Sequence, residues 1–131
     1  MQFKISDQKN EKDSLHFNFG NKEISGNLTI HYFVDHGHHI CYVPSLQLTS
    51  YGDSKEEAFN RFINEVLEEY FKILFNLDKG LIDAELKKVG FTRNKFFTKR
   101  FLSNTFIDKD GILRDFNLPK ETIIETSALA A

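Results

Sequence analysis

The chain has 131 residues, enough for one domain and not comfortably for two. Hydrophobic residues make up 40% of it and Phe occurs 14 times, which argues against disorder and for a real core. The net charge of -2 excludes a strong overall electrostatic pull toward nucleic acid or membrane, and a single cysteine, Cys41, excludes an internal disulfide.

The chain opens with Phe3 and Ile5, a short edge strand or loose arm that turns polar through Asp7, Lys9, Glu11 and Asp13. No apolar signal core lies between Met1 and Asn10, and no apolar run reaches membrane-spanning length. With the lone cysteine, this predicts a cytoplasmic protein without a membrane partner. Leu15, Phe17 and Phe19 alternate with His16 and Asn18, which is strand periodicity. Gly20-Asn21 signals a turn, and Ile24 opens a second short strand that Ser25-Gly26-Asn27 breaks. From Leu28 to Val34 the pattern is a firm strand, with Leu28, Ile30, Tyr32 and Val34 on one face and Thr29, His31 and Phe33 on the other. Asp35-His36-Gly37-His38 is a hairpin turn, His39 to Val43 the returning strand, and Pro44 its end. Ser45 to Ser50 supplies one more short strand.

The next stretch organises the rest. Ser54 is placed to cap a helix, with Glu57 completing a capping box; Asp53 and Glu56 offer the same pair one step earlier. Ala58, Phe62, Val66, Tyr70 and Leu74 form one row, and Phe59, Ile63, Leu67, Phe71 and Phe75 the adjacent one. A helix over 54–75 would be roughly 33 Å long, and a stripe that wide needs a sheet to lie on. Beyond Asn76, Asp78 caps a second helix carrying Leu81, Ile82, Leu86 and Val89, with Gly90 at its C′ position. Residues 92–102 fit either a third helix or a strand. Asp110-Gly111, between Phe106-Ile107 and Ile112-Leu113, reads as a hairpin turn, and 120–131 as a loose tail of small residues. The predicted class is α+β: an antiparallel sheet of three to four strands with a long helix on one face, plus smaller C-terminal helical or mixed elements. The predicted division is a sheet-plus-helix unit over 1–76, followed by an extension over 77–131 that packs on the same domain or forms a small helical module.

The order of features from Leu28 to Asn76 resembles the HicB-like antitoxin family. A hairpin is followed by Pro44 and Leu46, then Gly52-Asp53-Ser54, then Glu57-Ala58 opening the helix. The Gly-Cys that commonly follows the proline segment in that family is replaced here by Gln47-Leu48-Thr49. The resemblance implies a small antiparallel sheet with the helix across one face, similar to a truncated double-stranded-RNA-binding fold. It also implies a non-enzymatic role: masking a small ribonuclease toxin, HicA, with repression of the operon through a C-terminal DNA-binding module in many members.

His31, His36, His38 and His39 cluster around one turn with Asp35, where two imidazoles on one face would suit a metal, although polar residues are common in solvated turns. Cys41, between Ile40 and Tyr42, reads as a packed thiol rather than a nucleophile. No set of residues positions an acid, a base and a nucleophile, so neither catalysis nor a cofactor is expected. Lys87, Lys88, Arg93, Lys95, Lys99 and Arg100 form a basic run interleaved with Phe91, Phe96 and Phe97. That run is a candidate phosphate contact around a helix–Gly90–helix unit, or else a solvated face balancing Glu65, Glu68 and Glu69. The final four residues, Ala128-Leu129-Ala130-Ala131, resemble the end of the bacterial tmRNA degradation tag, with Leu129, Ala130 and Ala131 as the candidate signal; that reading requires a free, unstructured tail, and the alternative is the frayed end of a helix starting near Lys120. The candidate partners are therefore a small toxin, DNA and a second copy of the chain. The alternative function is a standalone ligand- or nucleic-acid-binding domain without a toxin.

Overall fold

The computed structural model describes residues 3–6, 12–96, 99–105 and 107–131; the expectations for Asp7, Lys9, Glu11, Phe97 and Phe106 lie outside the described residues. One strand, β3 (Glu23–Asp35), carries the sheet. Along one edge it takes β8 (Glu125–Ala130), from Asn27↔Ala130 to Tyr32↔Glu125. Along the other it takes β2 (Ser14–Asn18) near its start and β4 (His38–Val43) near its end, so β2 and β4 lie end to end. The sheet then widens outward: β1 (Lys4–Ser6) beside β8, β7 (Arg100–Ser103) and β6 (Phe91–Arg93) beside β2, and β5 (Leu48–Gly52) beside β4. All pairings are antiparallel, and the described residues contain eight strands rather than the three or four expected.

Gly26 does not break β3. A Cβ there would sit 2.1 Å from the Ser14 carbonyl oxygen, so glycine at φ 148° allows β2 to come in close while the strand continues. Between β2 and β4, the Thr29 amide has no strand to bond. The Asp13 carboxylate takes it instead, at 3.0 Å from each oxygen, and also accepts from Thr29 Oγ1 at 2.7 Å and Ser45 Oγ at 2.6 Å. A side chain thus stands in for a missing strand.

The long helix is 21 residues. It runs as α1 (Lys55–Arg61), a π-helical turn (Phe62–Leu67) and α2 (Glu68–Phe75). The Ser54 side chain accepts from the Glu57 amide at 3.1 Å, as the capping pattern predicted. Ala58, Phe62, Leu67 and Leu74 are buried against Leu15, Phe17, Leu28, Ile30, Cys41 and Val43. Inward residues change rows between Phe62 and Leu67, because the π turn inserts one extra residue. α3 (Lys79–Lys88) lies on the same face, adding Ile82 and Leu86, and ends at Gly90 with φ 101°.

The expected hairpin at Asp110-Gly111 is instead a helix, α4 (Lys109–Asp115), because the Asp108 side chain accepts from the Gly111 amide at 2.8 Å and caps it. It contributes to a second apolar layer absent from the expected fold. Phe33, Ile40 and Tyr42 alternate with the residues under the long helix and so face the other way, where they meet Ile112 and Phe116. Of residues 92–102, the described ones supply β6 and β7 rather than a third helix, and the tail supplies β8. The sheet runs through both predicted units, since β6, β7 and β8 all join it.

Candidate functional site

The basic run does not form one surface. After Gly90 the chain enters a strand, so the helix–Gly90–helix unit is replaced by a helix and the β6–β7 hairpin. Lys87 and Lys88 end α3, and Lys88 Nζ lies 2.9 Å from Glu85 Oε1. Arg93 turns toward the core side. Its guanidinium binds Asp83 of α3 with both Nε and Nη2, stacks 4.9 Å over the Phe101 ring, and holds its proton more tightly because of that carboxylate. Phe91 is buried core. Lys95, Lys99 and Arg100 remain exposed near the hairpin tip, with Phe96 between them.

The tip is anchored at its base. The Asn94 amide donates to the Arg100 carbonyl at 2.7 Å, the Phe96 amide to Asn94 Oδ1 at 2.8 Å, and the Phe17 amide to the Lys99 carbonyl at 2.8 Å. Arg100 lies opposite His16, and His16 opposite Ser25, so these three form one cross-strand row. Their neighbours Leu15 and Phe101 are core, which places the row on the sheet face turned away from α3. Beside it is a depression of about 190 Å³ lined by His16, Phe17, Asn18, Glu23, Ser25 and Lys99. Sequence reasoning missed His16, Asn18 and Ser25 here, because only strand pairing brings residues so far apart onto one face.

The histidines are dispersed. His31 is buried with Nδ1 2.9 Å from Thr126 Oγ1. Burial pushes its pKa down, against the opposing charge of Asp13. His36 is exposed beside Asp35, at 2.8 Å. His39 Nδ1 bonds the Tyr32 hydroxyl, and Lys55 sits 5.0 Å over the Tyr32 ring while pairing with Glu125 at 2.8 Å. That group ties the start of the long helix to β8. Among the described residues no three His, Cys, Asp or Glu side chains are grouped to hold a metal ion. Cys41 is fully buried and burial pushes its thiol up to about 12, so it stays protonated at neutral pH.

The loose tail expected for 120–131 is corrected from residue 125 onward. Ala128 and Leu129 are buried, and Ala130 pairs with both Lys4 and Asn27. Recognition of Leu129, Ala130 and Ala131 as an extended peptide therefore requires β8 to leave the sheet.

No protein family matches the chain, and no curated protein or solved structure is significantly similar to it. No helix among the described residues is long and apolar enough to cross a membrane.

Proposed function

We propose that the chain is a non-enzymatic binding protein of the HicB-like type, whose sheet-and-helix unit masks a small ribonuclease toxin. The observation that supports this reading is the junction between β5 and the long helix. A Cβ on Gly52 would lie 2.6 Å from the Ala58 amide nitrogen, so glycine is needed where the strand end passes the first helical turn. Ser54 caps that turn, and Ser50 Oγ donates to the Ala58 carbonyl at 2.7 Å where the helix comes closest. Gly52, Ser54 and Ala58 are positions of the resemblance, and they follow the β3–β4 hairpin and Pro44 in the same order. Operator binding through a helix-turn-helix over 78–102 does not belong to this reading, because that segment is a helix followed by a hairpin.

The test is the adjacent reading frame. It should encode a small ribonuclease whose expression arrests growth, with arrest relieved by co-expression of this chain and the two proteins co-eluting from a sizing column. A neighbour of another kind, or a purified pair that elutes separately at micromolar concentration, overturns the proposal. The second reading, a nucleic-acid-binding domain, is favoured by the exposed aromatic and basic side chains of the β6–β7 hairpin.

A further inference from the structure

We propose that the β6–β7 hairpin and the adjoining face of β2 form a binding site for single-stranded nucleic acid. This does not depend on toxin binding, because it uses a different part of the sheet. Phe96 is 89% exposed, so burial in the core does not explain a large apolar side chain at that point. Its backbone is nevertheless held in place. Asn94 fixes the Phe96 amide, and the strands on either side fix Asn94 and Lys99. An exposed ring on an anchored backbone, flanked by Lys95, Lys99 and Arg100, is a stacking platform inside a cationic border.

The neighbouring depression divides the recognition. Lys95, Lys99 and Arg100 stand where a phosphate backbone can run. Glu23 lines the depression together with Ser25 and His16, which offer donors and acceptors to a base edge. A base that stacks on Phe96, or another of the same strand that presents its edge to these groups, must be unpaired. In a duplex the base faces are already stacked, and a depression of about 190 Å³ does not admit a helix. RNA and DNA share the phosphates and bases used here.

The test uses the full chain and fluorescein-labelled oligo(U), oligo(dT) and a duplex, each about 12 nucleotides long to match a typical single-strand site. Anisotropy at low salt should show both single strands binding, with affinity falling steeply as salt rises. The tighter of the two names the natural source, and the duplex should bind at least about tenfold more weakly. Phe96→Ala should weaken binding about tenfold without changing the salt slope, and Phe96→Trp should retain it. Charge reversal at Lys95, Lys99 and Arg100 should abolish binding at an unchanged melting temperature, while reversal at Lys87 and Lys88 should leave it intact. The site is overturned by absence of binding at low salt, by Phe96→Ala binding like the parent, by equal binding of duplex, or by equal loss on reversing Lys87 and Lys88.

Discussion

At the scale of single residues, Asp13 and His31 hold the centre of the sheet, Asp13 at the gap between β2 and β4 and His31 against β8. Asp13 replaces a strand, so its removal strands the Thr29 amide and two hydroxyls in a part-buried position. Asp13→Ala should cost about 2–4 kcal/mol in urea unfolding, and Asp13→Asn should recover only part, because the acceptors lose their charge. A loss under about 0.5 kcal/mol would show that water satisfies the notch. His31 gives a pH dependence with a definite sign. Its folded pKa lies below the usual 6.5, so the unfolded chain takes up a proton first as pH falls. The stability of the neutral buried ring is complete above about pH 6.5 and is lost as pH drops toward the folded value. The stability difference between parent and His31→Gln should therefore shrink between about pH 7.5 and pH 5. A difference that stays constant would place the imidazole in water. Neither role was legible in the sequence. Asp13 reads as one more charge in a polar arm, and its partners lie 16 and 32 residues away.

At the scale of elements, the long helix was legible because its apolar stripe is two rows wide. The same width conceals the π turn: inward residues pass from one row to the other, and the sequence pattern tolerates either. This makes a sharp prediction. Deleting exposed Glu65 from the π turn would bring Leu67 to an i+4 position after Phe62, giving an unbroken α-helix with every inward residue still facing the sheet. That deletion should be tolerated, with a melting temperature close to the parent. Deleting exposed Asn60, outside the turn, should instead rotate Phe62, Leu67 and Leu74 away from the core and cost more than about 3 kcal/mol. Equal damage from both would mean that the π turn is not an insertion in the packing. The shorter elements were not legible for the opposite reason. β6 has 3 residues and β7 has 4, too few to separate a period of two from one of 3.6. Asp110-Gly111 carries a strong turn signal, but Asp108 caps from outside that pair and the helix prevails.

At the scale of the whole molecule, the sheet joins distant parts of the chain. β8 is a run of small residues, ETSALA, with only one large apolar side chain, so neither periodicity nor propensity marks it as a strand. It is a strand because both its edges find partners: β3 across the middle of the sheet and β1 from near residue 4. Leu129 sits in a row with Ile5 and Leu28 beneath the helical layer, and Thr126 meets His31 on the other face. Removing residues 125–131 would strip β1 of its ladder with β8, open the middle edge of β3 and uncover Leu28 and Ile30. Such a chain should lose its cooperative urea transition, whereas a loose tail would leave the transition unchanged. A milder version isolates the packing from the ladder: Leu129→Ala keeps every backbone bond and should cost about 2–5 kcal/mol. Hydrogen exchange supplies the independent check. If β8 is integral to the sheet, the amides bonded across it to β3 exchange only through global unfolding, at the same free energy as the core of β3. Faster exchange confined to β8, with β3 protected, would show the strand detaching while the rest of the sheet stays folded.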